Sequence, residues 1–189
     1  YTFGTGFIRF EGAFAEAQLT YVRQLTAPFV IRARVRKAMA FAGMVIQIGG
    51  IASHLFGSTS GGARAAFFGN WKMLLMPDGT LSTQPCSTSS WYEVQITVGV
   101  GSISFTDNQN CEELFHTYGN EFHGSHQIVI GSDCQFDCIG SDWDWFEVSG
   151  GLHATYDVPR GTVLPSGAAH VLAYTWNPIG EGSSVIASV

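Results

Sequence analysis

The densest chemistry in this chain lies in one short string, Asp142-Trp143-Asp144-Trp145-Phe146-Glu147. Every second side chain of a strand points to the same face. Trp143 and Trp145 are therefore expected to alternate onto one face, where flat indole rings would stack on the apolar face of a sugar. The carboxylates of Asp142, Asp144 and Glu147 offer acid–base chemistry. A retaining glycosidase needs two carboxyl groups about 5–5.5 Å apart, and alternate strand positions with a bulge before the last supply such a spacing. Trp71, Tyr92 and Trp176 are further candidates for a sugar, whereas the pattern position of Trp91 reads as core.

Other oxygen donors suit a hard cation. Asp107, Asp133, Asp137 and Asp142 fall near expected loops, and calcium takes such ligands. No loop shows an ordered ladder of ligands, so calcium is the sole cofactor worth testing and no metal site is assigned. The four cysteines, Cys86, Cys111, Cys134 and Cys138, allow three pairings. Cys134–Cys138 closes a tight loop and leaves Cys86–Cys111 to span a hairpin-sized segment, which is the favoured pairing. The competing chemistry is zinc, with His123 and His126 joining Cys134 and Cys138, and His116 nearby. Structural zinc sites repeat tight ligand spacings, while these histidines sit in a Gly/Ser-rich loop, so disulfides are expected. No Gly-x-Ser-x-Gly elbow marks a nucleophilic serine.

Positioning these residues falls to strands. Only 13% of the 189 residues are charged and 23 are glycine, a composition that favours strands and turns over helices. Phe29 to Arg36 is the clearest strand, with Ile31, Ala33 and Val35 facing inward and Arg32, Arg34 and Arg36 outward. Gly43 to Gly49 is continuously apolar, as a strand buried on both faces should be. Further strands are expected at 7–11, 18–22, 65–68, 71–76, 91–98, 102–106, 127–131 and 145–148, with turns such as Pro77-Asp78-Gly79-Thr80 between them. Such spacing predicts an all-β, two-sheet antiparallel sandwich. Ala13 to Leu25 is the only helical candidate, and it fits a helical period poorly. His153 to Val158 and Ala168 to Trp176 read as strands of a C-terminal extension, 151–189, that packs on the single domain or on a neighbouring subunit. A net charge of −6 excludes a nucleic-acid partner, because no basic stripe replaces phosphate counterions. The Arg32, Arg34, Arg36 and Lys37 cluster reads as a solvated strand face, with a polyanion contact as the alternative. No apolar run approaches the roughly 20 residues of a spanning helix.

From about Ala27 to Gly150 the order of signals resembles the concanavalin A-like lectin/glucanase superfamily, especially its laminin G-like jelly rolls. The matching pieces are FVIRARVR, GMVIQIG, WKMLLMPDGTL, SSWYEVQITV, QIVIGS and DWFEVS, about two-thirds of the chain. The resemblance implies two antiparallel sheets, often with bound glycan and calcium. The string from Asp142 to Glu147 is similar to the laminarinase-type motif Glu-x-Asp-x-x-Glu, with Asp142 in place of the first Glu and the string on the closing strand. With those departures the chain is expected not to be an enzyme, and Asp142, Asp144 and Glu147 stand as the only catalytic candidates.

Low charge, paired cysteines and a small-residue tail from Gly180 to Val189 together suggest an extracellular structural subunit. It would assemble with copies of itself into a filament, coat or surface layer and associate with glycans. The chain opens at Tyr1, as a mature form with its leader removed or an excised piece would. The alternatives are a discrete carbohydrate-binding lectin-like module and a laminarinase-like endo-glycanase.

Overall fold

A computed structural model describes residues 2–4, 7–11, 18–38, 42–50, 62–88, 90–134, 139–151, 170–177 and 180–188. The chain divides into two compact units, Tyr1–His153 and Ala154–Val189. In the first unit the strands are β1 (Thr2–Gly4), β2 (Phe7–Glu11), β3 (Gln18–Thr26), β4 (Phe29–Lys37), β5 (Ala42–Ile48), β6 (Ala63–Phe68) and β7 (Trp71–Leu75). They continue with β8 (Leu81–Pro85), β9 (Tyr92–Gly99), β10 (Ser102–Asp107), β11 (Leu114–Thr117), β12 (Ser125–Cys134) and β13 (Ile139–Gly150). A single 3-10 turn covers Asn120–Phe122. The second unit contains a hairpin of β14 (His170–Asn177) and β15 (Gly180–Ser188). The expected strand at His153 to Val158 lies outside the described residues.

The strands of the first unit form two antiparallel sheets. Seven are ordered β1-β2-β13-β4-β9-β10-β11, and six are ordered β3-β12-β5-β6-β7-β8. The alternation seen in the sequence sets which residues lie between them. Ile31, Ala33 and Val35 of β4 and Tyr92, Val94, Ile96 and Val98 of β9 are buried, and their neighbours point away from the core. Facing them from the six-stranded sheet are Met44, Ile46, Ala65, Phe67 and Leu74. Phe67 packs across the gap, its ring centroid 5.0 Å from Tyr92 and 5.4 Å from Phe105. The first unit is a β-sandwich. The helical candidate Ala13 to Leu25 is strand from Gln18 onward, as the expected strand at 18–22 has it, and pairs antiparallel with β12 through a register shift between Gln127 and Val129.

Two covalent and ionic ties join the sheets at the β7–β8 end. The expected Cys86–Cys111 disulfide is present. Beside it the fully buried Lys72 ammonium meets Asp107 at 2.7 Å and donates to the Glu112 carbonyl at 3.0 Å. Asp107 also accepts from the backbone N–H of Gln109 at 2.7 Å, so the pair is well satisfied. The other expected disulfide reaches Cys138, which lies outside the described residues.

Candidate functional site: the outer face of the seven-stranded sheet

Side chains that point away from the core on β2, β13, β4, β9 and β10 stand in rows across the sheet. Pairing places Arg9, Asp142 and Arg36 in one row. Trp145, Arg34 and Glu93 form the next, followed by Glu147, Arg32, Gln95 and Thr106. A cleft of about 400 Å³ opens over the last two rows, lined by Arg32, Glu93, Gln95, Thr106, Trp145 and Glu147 among others.

A bulge decides which tryptophan belongs to it. Trp143 pairs with Val35 and Trp145 with Arg34, so Asp144 is an extra residue on β13. One inserted residue shifts the alternation by one. Trp143 therefore turns inward, 2% exposed, with Phe10 edge-on at 5.8 Å and its indole N–H donated to Ser141 Oγ at 2.8 Å. Trp145 turns outward, 36% exposed, into the cleft. The expectation that both rings share a sugar-binding face is thus corrected: Trp143 is core, and only Trp145 is available. Trp91 is corrected in the opposite sense. It is half-buried beside the arginines, the Arg36 guanidinium carbon 4.7 Å from its ring centre, while its neighbour Tyr92 occupies the core. Trp71 is exposed at the start of β7.

The carboxylates separate in the same way. Asp142 is buried and gripped from both sides, by Arg9 Nε at 2.6 Å and Arg36 Nε at 2.7 Å. Burial alone would raise this carboxyl, but the two guanidiniums outweigh it and hold it below the usual carboxylate range. Asp144 accepts from Arg34 Nη1 at 3.0 Å. Glu147 and Glu93 make no side-chain hydrogen bond or ion pair among the described residues and are exposed. Asp142 and Glu147 pair with Arg36 and Arg32, four residues apart on β4, so their backbones lie about 13 Å apart. Retaining chemistry asks for two carboxyls about 5–5.5 Å apart that both reach the sugar; Asp142 is instead held by two guanidiniums, while Glu147 faces the cleft. Glu147 is the one member of the string facing the cleft unpaired. Glu93, on β9 beyond β4, is its nearest counterpart and was not apparent from the string.

Metal ligation fits the expected residues poorly. Asp107 and Asp142 already have cationic partners, Asp137 lies outside the described residues, and nothing is described of the Asp133 side chain. The one grouping of ligand atoms among the described residues, Cys86, Asp107 and Cys111, has its two sulfurs bonded to each other. His126 is buried and stacked on Phe122 at 4.2 Å, and His116 bonds Ser82, so neither converges with the other as zinc ligands.

No family model matches the chain, and no curated protein does. Solved structures do. The exoplasmic/lumenal domain of VIP36 in its Ca2+/Man3GlcNAc-bound form aligns with TM-score 0.57 at 7% identity, covering 86% of this chain and 85% of that one. A family 7 alginate lyase in complex with product aligns with TM-score 0.51 at 13% identity over 79% and 74%. The fold is a concanavalin A-like jelly roll. A glycoside hydrolase family protein from Mycobacterium thermorestibile aligns with TM-score 0.50 at 14% identity, over 70% and 68% of the two chains. The jelly roll thus carries catalysts as well as lectins, which corrects the expectation that the chain is not an enzyme. None of these neighbours supports the self-assembling subunit. Among the described residues no helix is long and apolar enough to cross a membrane.

Proposed function

We propose that the chain is a carbohydrate-binding protein whose ligand lies in the cleft on the outer face of the seven-stranded sheet. The observation that carries this reading is the bulge at Asp144, which delivers Trp145 to a cleft otherwise lined by amide, hydroxyl, carboxylate and guanidinium groups. An aromatic platform ringed by convergent polar groups is what a sugar asks for: ring stacking on its apolar face, hydrogen bonds to its hydroxyls. The fold supports it, since the VIP36 neighbour is a mannose-bound form. The disulfide suits an extracellular or lumenal setting. Calcium has no assigned place here, because Asp107 and Asp142 are already neutralised.

A second reading is cleavage of the bound glycan in the same cleft. Glu147 and Glu93, both without ionic partners among the described residues, flank β4 from β13 and β9 with backbones about 12 Å apart by strand geometry. Side chains of that length can close on a sugar bond from two sides. The test screens immobilised oligosaccharides, then repeats the hits with Trp145→Ala and Glu147→Gln. Loss of retention in Trp145→Ala, with a melting temperature lowered by only a few degrees, supports the cleft; undiminished retention refutes it. Shortened products that vanish in Glu147→Gln would establish cleavage, and intact oligosaccharide after prolonged incubation would dismiss it.

A further inference from the structure

At the Lys37 end of β4 a second cleft, of about 240 Å³, is lined by Arg36, Lys37, Ser90 and Trp91. We propose that it is a subsite for an oxyanion, the carboxylate or sulfate substituent of an acidic sugar; the sugar part of this inference rests on the carbohydrate reading of the neighbouring cleft.

Three features carry it. Arg36 is held in place yet only partly used. Its Nε donates to Asp142, and its guanidinium carbon lies 4.7 Å from the Trp91 ring centre and 5.3 Å from that of Phe7. Its two terminal nitrogens make no hydrogen bond among the described residues, and the side chain is 37% exposed. A guanidinium fixed on one edge and stacked on aromatic rings presents its remaining donors with little entropy left to lose, in a geometry that matches a carboxylate or sulfate. Next, the local charge is positive. Among the described residues the one carboxylate that Arg36 contacts, Asp142, is shared with Arg9. Among the described residues Lys37 bonds only neutral acceptors, the Gly69 carbonyl at 3.1 Å and Asn70 Oδ1 at 3.0 Å, and no carboxylate pairs with it. Finally, the two clefts have opposite character. Glu93 and Glu147 outnumber Arg32 in the first and disfavour an anion there, while Arg36 and Lys37 attract one to the second. An acidic polymer is thereby oriented, its oxyanion at Arg36 and its hydroxyl-rich rings over Trp145.

The experiment measures affinity for three size-matched probes, oligogalacturonate, sulfated dextran oligomers and neutral laminari-oligosaccharides. Inorganic sulfate is titrated in parallel while the Trp91 indole N–H is followed by NMR. Wild type is expected to bind one acidic probe about tenfold more tightly than the neutral one. Which acidic probe gains tells carboxylate from sulfate. Lys37→Gln, at a side chain that makes no bond to Asp142, should remove most of that gain, leave neutral binding alone and keep the melting temperature; Arg36→Lys, which leaves Asp142 its Arg9 partner, should do the same to binding at a lower melting temperature. Equal affinity for acidic and neutral probes, or a gain that survives both variants, overturns the subsite while leaving the carbohydrate reading intact. If no oligosaccharide binds but sulfate shifts Trp91 and Lys37→Gln abolishes the shift, the subsite stands and the carbohydrate reading falls. No binding and no shift sinks both.

Discussion

Trp143 and Trp145 are two residues apart in sequence, yet they should respond to truncation in opposite ways. Trp143→Ala removes a ring that is 2% exposed, packed on Phe10 and hydrogen-bonded to Ser141. A buried tryptophan removes about 150–250 Å² from water, worth about 4–6 kcal/mol at 25 cal/mol/Å². Measured truncations of this size cost about 3–5 kcal/mol. For a chain of this length, about 4 kcal/mol lowers the melting temperature by about 8–16 °C. Trp145→Ala exposes less new surface because the ring is already 36% exposed. Its stability cost should stay near 1–2 kcal/mol, while a lost aromatic anchor weakens binding by about 2 kcal/mol, roughly thirtyfold. Trp145→Phe should restore most of that affinity. Thermal melts followed by circular dichroism and calorimetric titration of the best oligosaccharide separate the two effects. Equal melting shifts in the two alanine variants would refute the bulge, because both rings would then share one environment.

Three further outcomes follow from the packing. Replacing Cys86 and Cys111 by serine opens a loop of sequence separation 25, and chain-entropy reasoning puts the loss at about 3.5 kcal/mol, read by urea melts of the two forms. Lys72→Met strands the Asp107 carboxylate in a fully buried site and should cost about 3–5 kcal/mol, whereas adding Asp107→Asn should recover part of it in a double-mutant cycle; simple additivity would show that the pair is not coupled. His126 is held below its ordinary pKa by burial first and then by the charge of His123. The unfolded chain therefore takes up a proton near pH 6.5 that the folded chain resists, so this contribution is complete above that value and is lost as pH falls below it. The melting temperature of His126→Phe should fall less between pH 7.5 and 5 than that of wild type; parallel curves would refute the assignment.

Much of the scaffold is legible in the sequence for a plain reason. Where a strand has one buried and one open face, its apolar period reports orientation directly, as in β4, whose inward Ile31, Ala33 and Val35 and outward arginines fall where alternation puts them. The Cys86–Cys111 pairing was accessible by loop length. The site was less so. Asp-Trp-Asp-Trp-Phe carries no glycine or proline to announce a bulge. It arises because Phe146 and Val148 pack against the core, as Trp143 does before them, and these demands are out of phase by one residue. The same out-of-register counting hid Trp91. Its strand begins at Tyr92, which pairs with Val35 and takes the inward position. The cleft itself draws on β4, β9, β10 and β13, and alternation within a strand says nothing about which strands become neighbours.

The two sheets treat their outer faces differently, and that difference bears on where function resides. On the six-stranded sheet the outward Val45, Ala66 and Met73 are apolar and form a second buried cluster, which adds to stability by burial. On the seven-stranded sheet the outer face gathers Arg9, Arg32, Arg34 and Arg36, four of the nine cations in the chain, into fixed contacts with Asp142, Asp144 and Gln95. The exposed Arg34–Asp144 pair contributes little to stability, about 0–1 kcal/mol, and the pairs of Arg9 and Arg36 with buried Asp142 must first offset the desolvation of that carboxylate. A chain with only 13% charged residues that concentrates them here gains little folding free energy by doing so. What it gains is a rigid array of donors and acceptors beside one exposed indole, with no reorganisation left to perform when a polyhydroxylated ligand arrives.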